Sequence, residues 1–172
     1  MNKKSSFKLN LILVLLSLVV SKYLMAAPVS RNSEPQFSEF PAQTVKITSP
    51  KKPILSSNLA RRYKTIISNS MADEPNFAGH YRVVAWGCGT DCRGFAIVNL
   101  LSGKTYTLPS LESVDGVMGN DEDRLSYRPD SKLFVINGLR NEVDEGKFYY
   151  LWKNGKLNFL SKYPLIKDYF QN

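Results

Sequence analysis

The chain has 172 residues, 43% of them hydrophobic, and a formal net charge of +8 from 23 Lys and Arg against 15 Asp and Glu. That length suits one domain with a core of its own. Much of the positive charge is not available for an acidic partner such as nucleic acid, because Lys3, Lys4, Lys8 and Lys22 sit in a segment laid out as a secretory signal peptide.

In that segment three lysines stand before an apolar run over 9–20, and Ala26 and Ala27 supply small residues ahead of Pro28. The run is about a dozen residues, against roughly 20 for a helix that crosses a bilayer, so cleavage is expected rather than anchorage. Proline directly after the bond hinders a signal peptidase, which favours a cut between Ala26 and Ala27, with cleavage after Ala27 as the alternative. Cleavage leaves 146 residues at a formal charge of +4. The expected product is periplasmic or secreted, with no integral membrane segment, and nucleic acid is excluded as a partner by that compartment.

Residues 27–55 carry Pro28, Pro35, Pro41, Pro50 and Pro53 among scattered polar residues, which reads as an extended arm with a short strand at 44–47. Residues 56–172 are expected to form a single globular domain. Ser56, Ser57 and Asn58 can cap a helix, and Leu59, Tyr63, Ile66, Ile67 and Met71 recur at spacings of three or four. That predicts one amphipathic helix over about 57–71. From Ala78 the pattern changes to strands, with runs at 81–86 and 94–100 expected to form a hairpin.

Cys88 and Cys92 lie in the turn of that hairpin and are the only cysteines. In an oxidising compartment such a pair is expected to be a disulfide. Four residues of strand span about 13 Å at ~3.3 Å per residue, whereas a disulfide needs Cα atoms within about 7 Å. A bond therefore requires a turn, for which Gly87 and Gly89 can take positive φ. The competing chemistries are a redox dithiol, a metal pair joined by His80 and Asp91, and a thiol nucleophile served by His80. They suit the spacing, the compartment and the single histidine less well than a structural staple.

Ser102-Gly103 then turns the chain into a third antiparallel strand over 104–108. A loop of acidic and glycine residues leads to strand-like runs at 125–128, 133–137, 148–152 and 157–161, separated by Pro129-Asp130-Ser131 and Asn154-Gly155 turns. The sum is an α+β fold, mainly an antiparallel β meander of about seven strands with one amphipathic helix packed on it. The run 147–153 has large apolar residues on both faces, as expected of a central strand covered on each side, with the helix as the cover. The alternative leaves Tyr149 and Leu151 exposed as a contact patch.

Tyr127-Arg128-Pro129-Asp130-Ser131 and the strand after it, followed by Phe148-Tyr149-Tyr150-Leu151-Trp152 and Asn154-Gly155-Lys156-Leu157, locally resemble one blade of a β-propeller. At most two such blades can be drawn, so the similarity implies a meander rather than a closed ring. Asn76-Phe77-Ala78-Gly79-His80-Tyr81, continuing to Trp86-Gly87-Cys88-Gly89-Thr90-Asp91-Cys92, resembles an uncharacterised family of small exported bacterial proteins. This second resemblance implies a shared fold and export, and brings no activity or catalytic residue with it.

The candidate binding residues are His80, Tyr81, Arg82, Trp86 and Arg93. His80 is the only histidine and so the one side chain that titrates near neutral pH unaided, yet no nucleophile signature accompanies it. Arg82, Val84 and Trp86 alternate onto one face of their strand, which is either core or an open binding surface. The acidic groups at 120–123 and 142–145 lack EF-hand spacing and read as solvated turns; no metal or cofactor is implied. The expected function is that of an exported binding or inhibitory protein, a monomer whose partner is an envelope protein or a cell-wall enzyme. The alternatives are an envelope hydrolase using His80 with an acidic residue, and a structural protein of the envelope.

Overall fold

The computed structural model of the protein describes residues 33–120 and 122–167. The expected signal segment, the start of the arm and Asp121 lie outside the described residues. Eight strands among those described form one antiparallel sheet: β1 (Tyr81–Gly89), β2 (Cys92–Asn99), β3 (Thr105–Tyr106), β4 (Val114–Asp115), β5 (Leu125–Tyr127), β6 (Leu133–Arg140), β7 (Asp144–Lys153) and β8 (Lys156–Tyr163). The order is β1-β2-β4-β6-β7-β8, with β3 added to β2 and β5 to β6. This is the expected α+β meander. The addition is β4, in a stretch expected to be loop; it has two residues, too few for a period of two to show, yet it pairs Arg93 on one side and Arg140 on the other through Val114.

The sheet folds over on itself. β1 and β7 are four steps apart in the order, about 19 Å in a flat sheet at ~4.8 Å per strand, yet the rings of Tyr81 and Trp152 lie edge to face at 5.2 Å. Alternate residues of the strands therefore meet in one core that includes Val83, Phe95, Ile97, Phe134, Ile136 and Phe148. At its centre is Phe77, fully buried, which belongs to the loop before β1 rather than to a strand. Its ring contacts Tyr127 at 6.3 Å, Phe134 at 5.5 Å and Trp152 at 5.9 Å, all in edge-to-face geometry.

Two short helices, α1 (Asn58–Arg62) and α2 (Lys64–Asn69), cover the opposite face of the β1–β2 hairpin. Ser57 caps the first as expected, its hydroxyl accepting from the Ala60 N–H at 3.0 Å. The single helix expected over 57–71 is interrupted at Tyr63, where φ is −101° and ψ is 24°. The Tyr63 ring stacks on Trp86 at 4.1 Å, and β-branched Thr65, Ile66 and Ile67 just beyond it give little intrinsic drive to a regular helix. As a result Ala60 is fully buried while Ile66, expected on the apolar face, is 38% exposed.

The helices do not cover β7, contrary to expectation. Leu133, Val135 and Tyr149 are buried under Phe37 and Phe40 of the arm, which winds from a 3-10 turn (Phe37–Glu39) along the sheet. Tyr149 is 2% exposed, so it forms no contact patch. Its hydroxyl donates to Glu34 at 2.5 Å, and Lys147 pairs with the same carboxylate at 3.2 Å. Burial alone would raise the Glu34 carboxyl, but the Tyr149 hydroxyl and the Lys147 ammonium outweigh it and hold that carboxyl below the usual carboxylate range.

Farther along, arm N–H groups donate to carbonyls of successive turns: Ala42 to Asp130 at 2.7 Å, Val45 to Gly79 at 3.0 Å and Ile54 to Gly103 at 2.7 Å. The strand expected at 44–47 does not form. Only single bridges, Pro41 with Ser131 and Ile54 with Lys104, interrupt an irregular path, because prolines without an N–H cannot extend a ladder and each contact is made to a different turn.

The cysteines are bonded, with Cα atoms 5.1 Å apart. The turn uses a different device from the one expected. Gly89 pairs with Cys92, a bulge sets Cys88 out of register, and the positive φ falls on Asp91 at 53° rather than on Gly87 or Gly89. Aspartate tolerates that region better than most residues. Asp91 is held there by its carbonyl, which accepts from Gly116 N–H at 2.9 Å, and by its carboxylate, 3.4 Å from Arg124 Nε.

Two outcomes follow from this packing. Phe77→Ala should lower stability by about 3–5 kcal/mol, the range for truncating a large buried aromatic, as read by urea denaturation. Cys88→Ser should cost only about 2 kcal/mol, since the loop closed is so short; a loss as large as that of Phe77→Ala would mean that the disulfide, and not the aromatic cluster, organises the hairpin.

Candidate functional site

The loop before β1 is pinned on three sides. Ala78 and Gly79 take positive φ, 44° and 86°, which aims their N–H groups at the Pro129 turn: Ala78 donates to Ser131 at 3.2 Å and Gly79 to Pro129 at 2.7 Å. The Asn76 side chain accepts from Val83 N–H at 2.7 Å and donates to its carbonyl at 3.1 Å, capping the free edge of β1. On the third side lies the arm, so close that a Cβ on Gly79 would fall onto the Gln43 carbonyl. The Asn76–Tyr81 motif thus acts first as a clamp, and His80 is what it presents.

His80 lies in a cleft of about 560 Å³ between this loop, the arm and the β7–β8 turn. The volume falls in the range of small-ligand sites, roughly 300–1,000 Å³. Its apolar wall includes Phe40, Tyr81, Leu151 and Trp152, and its polar rim is His80, Lys132, Lys153, Asn154 and Glu39. Lys132 is fixed by its backbone, donating to Phe40 at 2.8 Å and accepting from Trp152 N–H at 2.9 Å. Asn154 and Gly155 both have positive φ, 55° and 73°, the tight two-residue hairpin that the Asn-Gly pair announces in sequence.

The charges of the rim are not balanced. Glu39, the one carboxylate of the rim, accepts from Gln36 N–H at 2.6 Å across the 3-10 turn. Among the described residues neither Lys132 nor Lys153 has an acidic partner. Burial holds the His80 imidazole below its ordinary pKa, so at neutral pH it is uncharged, with one nitrogen to donate and one to accept. Its ring lies 4.3 Å from that of Tyr81. Among the described residues the buried Trp152 indole N–H has no acceptor.

The five sequence candidates do not form one surface. Only His80 and Tyr81 reach the cleft. Strand alternation sends Arg82 and Trp86 to the opposite face from Tyr81. There Trp86 is 6% exposed, in the helix-side core. Arg82 is tied to Asp73 and to the Glu74 carbonyl, both at 2.6 Å. Arg93 pairs opposite Gly87 and so shares the Tyr81 face, but it lies at the far end, donating to the Cys92 carbonyl at 3.0 Å and lining a separate hollow with Arg124 and Tyr127. Sequence reasoning missed Glu39, Lys132 and Lys153. Only turn signals stood near them, Pro129-Asp130-Ser131 beside Lys132 and Asn154-Gly155 beside Lys153, because the arm and the two hairpins meet only in three dimensions.

Compared with known protein families, curated proteins and solved structures, the chain matches none of them. The site therefore has to be read from its own chemistry. A neutral imidazole is the form a general base requires, yet the lining contains no serine, threonine or cysteine to act as nucleophile beside it.

The His80 environment has a pH signature. An NMR titration of this single histidine should give a midpoint below the ordinary value of about 6.5. Because the folded pKa is the lower one, its contribution to stability is complete above the ordinary value and is lost as pH falls through it toward the folded pKa. His80→Gln should flatten the stability profile in that window; an unchanged profile would show that the imidazole is solvated in the folded protein.

Proposed function

We propose that this is an exported, periplasmic binding or inhibitory protein, and that it engages its ligand or partner through the cleft around His80. The observation that supports this reading is the cleft itself: a concavity with an aromatic wall, uncommitted cations and a neutral imidazole on its rim. The four aromatic and aliphatic side chains would bury a ligand's body, while the rim groups orient it. Expected partners remain an envelope protein or a cell-wall enzyme reached after export.

A catalytic reading has one observation in its favour, the sharing of the cleft by neutral His80 and a carboxylate, Glu39. That carboxylate accepts from a backbone N–H of its own turn, and among the described residues no hydrogen bond joins it to His80. Binding is the better supported function.

The experiment is capture of cross-linked envelope components by the tagged exported chain, run in parallel with Lys153→Glu and with Arg93→Ala. A species retained by Arg93→Ala and lost by Lys153→Glu fits engagement through the cleft. The reverse pattern would move the site to the Arg93 hollow and sink this reading. Turnover of an envelope substrate that His80→Ala abolishes would replace binding with catalysis.

A further inference from the structure

The chemistry of the rim narrows what the cleft accepts. Among the described residues the two lysines have no acidic partner, and they outnumber the one carboxylate of the rim, Glu39, which accepts from its own turn. Lys132 and Lys153 come from different hairpins, and the backbone bonds of Lys132 to both the arm and β7 plant it at the edge. Phe40, Tyr81 and Trp152 line the same cleft. Ammonium groups beside an apolar wall are satisfied best by a ligand that brings negative charge and apolar surface together. A cationic ligand would meet two like charges, and a neutral one would gain nothing from the two exposed ammoniums.

We propose that the cleft takes a small organic anion, a carboxylate or phosphate group joined to an apolar or ring-shaped body. The inference rests on the cleft being the binding site of the protein. The anionic group meets Lys132, Lys153 and the donor nitrogen of His80, and the body lies against Tyr81 and Trp152. Asn154, at the tip of the β7–β8 turn, can donate its side-chain amide to the same oxygens.

The sequence supplies its own reporters, with two tryptophans and one histidine. Trp152 lines the cleft, whereas Trp86 lies on the helix side, where it lines a separate hollow with Arg62 and Tyr63 and reports any binding away from the cleft. The purified protein is titrated with N-acetyl-L-phenylalanine, its uncharged amide, phenyl phosphate and inorganic phosphate, following the two indole N–H resonances and the His80 titration midpoint. The expected result is that the organic anions shift Trp152 and leave Trp86 in place, raise the His80 midpoint, and bind about tenfold or more tightly than the amide. Whichever of the two anions binds more tightly identifies the headgroup. Lys132→Glu and Lys153→Glu should each remove that preference, with the Trp86 resonance confirming that the fold is retained.

Equal binding of the amide and the carboxylate would overturn the anionic class while leaving the cleft as the binding site. A full response to inorganic phosphate alone would reveal an adventitious ion only, and would overturn the organic body. No shift of Trp152 with any probe would overturn the proposal outright. The separate capture experiment with Lys153→Glu then decides whether the cleft still serves a macromolecular partner.

Discussion

The burial of Phe77 holds together parts of the chain that no strand pairing joins. The sheet is continuous only through β4, two residues long, and beyond it the β1–β2–β3 and β5–β8 portions diverge. What closes them is aromatic packing: Phe95 stacks on Phe134 at 5.1 Å, and Phe77 meets rings from β5, β6 and β7. Each such ring removes a large apolar area from water, and the edge-to-face geometry adds specificity to burial. Because Phe77 sits on a loop, its anchoring also fixes that loop, and with it Ala78, Gly79 and His80.

From that constraint the cleft follows. The loop accepts hydrogen bonds from the arm and donates to the Pro129 turn, so three segments far apart in sequence are brought to one edge. The arm is then no passive leader. It covers the second face of β7 through Phe37 and Phe40, is latched through Glu34 to Tyr149 and Lys147, and provides Glu39 and Phe40 to the cleft. A site assembled this way is sensitive to the docking of the arm, since removing it would leave Tyr149 exposed and the cleft without one wall.

The disulfide occupies the opposite end of the hairpin from His80 and plays a local part. It closes a bulged turn whose aspartate reaches Arg124, next to the β5 entrance. The positive φ sits on Asp91 because its carbonyl and carboxylate both find partners there, a tertiary gain that outweighs the easier backbone of the neighbouring glycines. Structure around Tyr63 shows the same principle: stacking on Trp86 prevails over the regular helix that the apolar spacing announces.

The sequence by itself determined the strands that are long enough to alternate, the hairpins marked by Gly103 and by Asn154-Gly155, the Ser57 cap, the cysteine pair and hence the meander. These are local matters, decided by side-chain period and turn chemistry over a few residues. It also singled out His80 and Tyr81, because one motif held them. Only the tertiary structure decided which face each strand buries against what. It placed Trp86 under the helix and Tyr149 under the arm, joined the sheet through β4, and brought Lys132, Lys153 and Glu39 to the rim where His80 stands. Those outcomes depend on long-range packing between segments whose own patterns are nearly silent, and a proline-rich arm with no periodicity has a place only once there is a sheet for it to cover.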